Sequence, residues 1–151
     1  MSTNLNAIEF LNELVGKPLL YVLKSPDTEL YDFGFGRLVE KANRFGKRKT
    51  IGSYILHTLC RIKIIERGRK NKIDIYYEDA SCEIVYSGFQ RLIGLPIKRV
   101  ALSDKNDLWL DFGDYWMVVV TFENGEESWR YFTSETERCH LVASDSWLEF
   151  N

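Results

Sequence analysis

Leu14-Val15-Gly16-Lys17-Pro18-Leu19 recurs 78 positions later as Leu92-Ile93-Gly94-Leu95-Pro96-Ile97. The echo extends outward: Val22 matches Val100, Ser25 matches Ser103, and Leu30-Tyr31 matches Leu108-Trp109. With one extra residue, Asp32-Phe33-Gly34 falls on Asp111-Phe112-Gly113. A period of this size marks a duplicated module. The halves are residues 1–79 and 80–151, expected to share one compact unit.

Each copy reads as a helix, a stop and two hairpins. Ser2, Thr3 or Asn4 can cap a first helix, because their side-chain oxygens accept from free first-turn amides. Leu5, Ile8, Leu11 and Val15 keep helical spacing, widened by Phe10 and Leu14. Gly16 suits the left-handed residue after a helix end, and Pro18 stops continuation. The second copy offers a weaker helix from Ser81 to Ile93, with a short strand at Glu83–Tyr86 as its competitor.

Strand-like runs follow. Leu19–Lys24 and Leu30–Phe35 form one predicted hairpin, and Ile97–Leu102 with Leu108–Phe112 forms its repeat. Tyr115–Phe122 and Ser128–Thr133 flank Asn124-Gly125, the preferred pair for a two-residue hairpin turn. Its first-copy counterpart is predicted as Tyr54–Glu66 and Lys72–Glu78, with Gly68 answering Gly125. That alignment gives the first copy a basic insertion near 37–57. The expected fold class is α+β: a duplicated helix–hairpin–hairpin module, with antiparallel strands and the helices on one face.

Charge is divided along the chain. The formal net charge is −2, yet Arg37–Ile73 carries a net +10 and Asp104–Asn151 a net −8. Hydrophobic residues make up 45% and aromatic residues 14%, enough for a packed interior. Purely apolar runs stop at four or five residues, against about 20 for a membrane span. No secretory signal is visible at the start of the chain. Cys60, Cys82 and Cys139 are an odd set, read as free thiols in a reducing compartment. These features predict a cytoplasmic protein.

No catalytic or metal motif stands out. His57, Cys60, Cys139 and His140 are the only His/Cys constellation, but strand alternation splits both pairs across opposite faces. The repeated Asp-Phe-Gly is similar to the metal-binding tripeptide of protein kinases, whose other motifs are missing. Duplication explains it as a strand-ending turn. Asp104, Asp107, Asp111 and Asp114 lack the spacing and glycine of a calcium loop. No cofactor or metal is expected.

Two surfaces remain as candidates. Trp116 and Trp147 have no counterparts in the first copy, and with Asp114, Glu126 and Glu127 they suggest an acidic aromatic face for a protein partner. Lys41, Arg44, Lys47, Arg48 and Lys49 suggest polyanion or nucleic-acid contact through 37–73. The leading expectation is a non-enzymatic protein-binding module of the immunity or inhibitor type. An enzyme with an unrecognised pocket is the third reading. In length, in its acidic aromatic C-terminal half and in its lack of a catalytic signature, the chain is similar to small bacterial proteins, some of which are immunity proteins that block a toxin.

Overall fold

Leu59 and Cys60 break what reads as one long strand, and the break carries the chain from one sheet to another. The computed structural model describes residues 3–26, 28–42, 45–68, 72–75, 87–135 and 139–151. Within them run β1 (Leu19–Lys24), β2 (Tyr31–Ala42), β3 (Arg48–Thr58), β4 (Arg61–Glu66) and β5 (Lys72–Ile75). Then come β6 (Arg99–Leu102), β7 (Leu108–Asp111), β8 (Tyr115–Val120), β9 (Trp129–Thr133), β10 (Leu141–Ala143) and β11 (Leu148–Phe150). One sheet has the order β1-β2-β3-β9-β10-β11, the other β5-β4-β8-β7-β6, and every ladder is antiparallel.

The expected α+β architecture is therefore corrected to a β-rich one. Each half gives a three-stranded meander to one sheet and its next strands to the other. The hairpin expected from Tyr54–Glu66 and Lys72–Glu78 is present as β4 with β5, but its first stretch divides into β3 and β4 in different sheets, and β8 and β9 do not pair. Instead β3 pairs with β9 and β4 with β8, across the halves. Asn124-Gly125 lies in the passage between sheets, with Gly125 at φ 76°, and is not a two-residue hairpin turn. The two passages touch where the Leu59 amide donates to the Ser128 carbonyl at 2.9 Å.

Helices fill gaps between the sheets instead of covering a face. α1 (Thr3–Leu11) tightens into a 3-10 turn over Asn12–Leu14. Ala7, Leu11 and Leu14 are fully buried. Val15 is already extended and exposed, because the helix has ended. α1 touches β6 and β11, which are edge strands of different sheets. In the second half residues 87–90 are helical, and Phe89 meets Tyr31 and Phe33 edge-on. The expected helix stops there, since Arg91 and Leu92 form a turn and Ile93 bridges to Leu19, while residues 81–86, with the strand competitor, lie outside the described residues.

The repeated motif pairs with itself. Gly16 and Gly94 both take positive φ, 85° and 91°, a conformation costly for any residue with a Cβ. The Gly16 amide donates to the Ile97 carbonyl at 2.7 Å, and the Gly94 amide to the Leu19 carbonyl at 2.8 Å. The Ile97 amide donates to Lys17 and the Leu19 amide to Leu95, at 3.1 and 3.2 Å. These bonds match residue for residue under exchange of the halves.

One core lies between the sheets. Tyr31, Phe33, Phe35, Leu56, Trp129, Tyr131 and Leu141 come from the six-stranded sheet, and Ile62, Ile64, Leu108, Leu110, Met117 and Val119 from the other. Strand alternation puts them all on the facing surfaces. Each such burial contributes about 1.5–3 kcal/mol before the entropy cost of ordering the chain.

The ladders also revise the internal alignment. Val22 lies opposite Phe33, and its match Val100 lies opposite Leu110. Counting outward, Tyr31 takes the place of Leu108, Phe35 of Phe112, and Gly36 of Gly113. Gly36 and Gly113 share positive φ, 89° and 95°. Asp32-Phe33-Gly34 is therefore mid-strand, and only Asp111-Phe112-Gly113 ends one. Among the described residues no helix is long and apolar enough to cross a membrane.

Candidate functional site

The halves differ most between Phe35 and Tyr54. In the second half the Phe112 amide donates to the Tyr115 carbonyl at 2.8 Å, closing a turn with two residues between. In the first half Phe35 pairs with Tyr54, but eighteen residues intervene. The sixteen additional residues form an arm in which β2 and β3 run on together past the sheet. Leu38 pairs with Gly52, Val39 with Ile51, Glu40 with Thr50, Lys41 with Lys49 and Ala42 with Arg48.

Small residues launch this arm. The ladder shifts between Phe35 and Leu38, as in a β-bulge, and Gly36 sits at the shift. A Cβ on Gly36 would stand 2.3 Å from Ser53 Oγ, so only glycine fits. Ser53 Oγ accepts from the Arg37 amide at 3.1 Å and donates to the Phe35 carbonyl at 3.3 Å. Gly34 leaves room for the Tyr21 ring, whose hydroxyl accepts from the Gly52 amide at 3.1 Å, and a Cβ on Gly52 would stand 2.8 Å from the Phe35 backbone nitrogen. Burial pushes the Tyr21 phenol up and Asp32 adds to the rise, against the Gly52 bond.

Alternation sorts the arm into two faces. Leu38, Glu40, Ala42, Arg48 and Thr50 share one, all exposed, where Arg48 meets Glu40 at 2.8 Å. Val39, Lys41, Lys49 and Ile51 share the other, where Val39, Lys41 and Ile51 are half-buried. Beside Val39 and Lys41 lies a cleft of about 520 Å³. Its walls include Arg37, Lys17, Glu13, Glu135 and Tyr54. The Lys17 ammonium stands 5.6 Å from the centre of the Tyr54 ring, within cation–π range.

Tyr131 lies close to this cleft. Burial drives its phenol well above the usual range, and the charges of Glu13 and then Tyr54 add to the shift. Both of those residues line the cleft. The Tyr131 hydroxyl is buried and makes no hydrogen bond among the described residues.

The basic residues named from sequence lie on the arm, and one of them reaches the cleft. Lys41 lines the cleft, Lys47, Arg48 and Lys49 are exposed on the arm, and Arg44 lies outside the described residues. The acidic aromatic set does not converge. Trp116 is flanked by the guanidiniums of Arg67 and Arg99, 5.3 and 5.1 Å from its ring, and its edge neighbour is Trp109. Both arginines bind the buried Asp111 carboxylate, at 2.9 and 3.2 Å. Asp114 is exposed on the turn beside them. Trp147 lies past the far end of β8, its indole N–H donating to Gly125 at 2.9 Å, with Glu126 exposed nearby in sequence. Glu127 is held by two bonds from Arg130, at 2.6 and 2.9 Å.

The histidines and cysteines separate. Cys60 is buried in the core, while His57 and His140 both pack on Phe132, edge-on and stacked. Cys139 is exposed, and Cys82 lies outside the described residues.

Sequence reasoning found the arm through the mismatch between copies but missed the cleft, because Glu13, Lys17, Tyr54 and Glu135 come from four distant segments. One trace was present: Lys17 replaces Leu95 inside the repeated motif. Comparison of the chain with family models, with curated proteins and with solved structures finds no match.

Proposed function

We propose that this protein is a non-enzymatic protein-binding module that holds its partner with the arm and the cleft at its base. The observation that carries this reading is the arm itself. It exposes Leu38 and Phe45, 58% and 79% accessible, among the six cations of residues 37–53. Apolar side chains displayed within a charged rim suit a protein contact. The acidic half supports such a role less. Asp107, Asp111, Glu127 and Asp145 are engaged in internal hydrogen bonds or ion pairs. The contact surface is accordingly placed on the arm and not on Trp116, Trp147, Asp114, Glu126 and Glu127.

A second reading has one specific support. A basic two-stranded ribbon has dimensions that the DNA major groove admits. Glu13 and Glu135 in the cleft weigh against a phosphate polymer lying there.

The test exploits the sister turn. Replacing Arg37–Ser53 with a single Asp recreates Phe112-Gly113-Asp114-Tyr115 in the first half. Wild type should retain a protein partner from host extract at low salt, with an on-rate that falls as salt rises. The armless variant should lose it. Equal retention by both would place the contact elsewhere, and retention of nucleic acid alone would favour the ribbon reading.

A further inference from the structure

We propose that the free edge of β2 from Leu38 to Ala42 takes an extended acidic segment of a partner protein as an added strand. This rests on the reading of the arm as the contact surface and names the chemistry of what it contacts.

Pairing along β2 stops abruptly. β1 follows β2 only as far as Phe35, opposite Leu19. Just before Leu19 stands Pro18, whose ring cannot donate to a ladder. Its carbonyl takes the Gly36 amide at 3.0 Å, and the chain then turns to pair with the other motif copy. Among the described residues no strand pairs with Leu38–Ala42 on the side away from β3. An open edge of this kind is a template for another strand.

Charge names the occupant. Lys41 and Lys49 lie directly opposite each other in the ladder. Like charges at that position are destabilising. Among the described residues neither makes an ion pair, whereas Arg48 on the opposite face pairs with Glu40. Arg37 and Lys17 add cations to the cleft walls, which Glu13 and Glu135 partly balance, so the acidic contact is assigned to the arm's own lysines. A carboxylate on the added strand would stand beside Lys41 on the same face, with Lys49 one strand further on, and would offset the repulsion between the two cations. Strand alternation then fixes the pattern: acidic side chains on the Lys41 face, and apolar or hydroxyl side chains beside the exposed Leu38.

The probe is a fluorescein-labelled ten-residue peptide alternating Glu with Val and Thr, titrated against the full chain by anisotropy. Its Lys-for-Glu version should bind at least tenfold more weakly. Lys41→Glu, on the solvent-reaching arm, should weaken the acidic peptide at least tenfold, and Lys49→Glu, one strand further away, should weaken it less. Two further peptides carry N-methyl groups on alternate amides, one on each set. The set facing β2 should lose at least tenfold in affinity and the other set should not.

If both methylated peptides bind like the parent, no strand is added and the proposal is overturned. Failure of the acidic peptide at low salt overturns it equally, as does tighter binding of a duplex oligonucleotide that displaces the peptide. A partner captured through the arm in the armless comparison would stand in each of the first two cases, so the two readings fail separately.

Discussion

The amide of Gly94 donates to the carbonyl of Leu19 at 2.8 Å, although the two residues belong to different copies of one six-residue motif. The reciprocal bond from Gly16 to Ile97 makes the arrangement two-sided. The motif thus clasps the halves together as well as ending a helix.

Gly16→Ala and Gly94→Ala should be matched in cost. A Cβ at either position meets nothing within 4 Å, so positive φ is the only penalty. That penalty is about 1–2 kcal/mol. Urea midpoints of the two variants should shift together. A neutral Gly94→Ala beside a costly Gly16→Ala would break the equivalence.

Gly34 and Tyr21 should be coupled. A Cβ on Gly34 would stand 2.1 Å from the Tyr21 ring. Overpacking of this kind costs about 1–3 kcal/mol. In the Tyr21→Ala background Gly34→Ala should be nearly free, giving an interaction energy of about 1 kcal/mol or more in a double-mutant cycle. Simple additivity would show that the ring does not rest on Gly34.

Asp111 should protect the fold against acid. Burial alone would raise its carboxyl, but the Gly113 amide and the Arg67 and Arg99 guanidiniums outweigh that and hold it below the usual carboxylate range. Its contribution is therefore complete above the ordinary value of about 3.9 and is lost as pH falls through the lower folded value. Asp111→Asn should destabilise the protein by about 2 kcal/mol at neutral pH and flatten the acid limb of its stability profile. An unchanged acid limb would refute this account.

Cys60 should act at the other end of the scale. Burial pushes its thiol up to about 12, with Asp107 adding to the rise against bonds to backbone amides. The fold keeps a proton that the unfolded chain releases from about pH 8.5, so this contribution is present below that value and fades as pH rises through the folded one. Wild type should lose up to about 1.4 kcal/mol per pH unit more than Cys60→Ala over this range. Parallel profiles would mean that the thiol ionises equally easily in the fold.

Hairpin partners were readable, as in β1 with β2 and β6 with β7, and partnership across the halves was not. Leu19–Lys24, read as a strand-like run, is β1 with those bounds, and its predicted return from Leu30 is β2. Yet the pattern of β3 contains nothing that selects β9, since alternation states which face is apolar and not which strand lies alongside. The Asn124-Gly125 signal, strong for a local hairpin, yielded to the burial of Val119 and Trp129 in opposite sheets. For the same reason the arm was visible, as residues without a match, while the cleft was not.

Gly36 and Gly113 hold equivalent corners of the scaffold, one carrying a long hairpin and the other a bare turn. The framework therefore has two sockets, and only one is in use. Transplanting Arg37–Ser53 in place of Asp114 would furnish the second. The product would be a bivalent molecule made from one chain, with its two grips borne by different sheets.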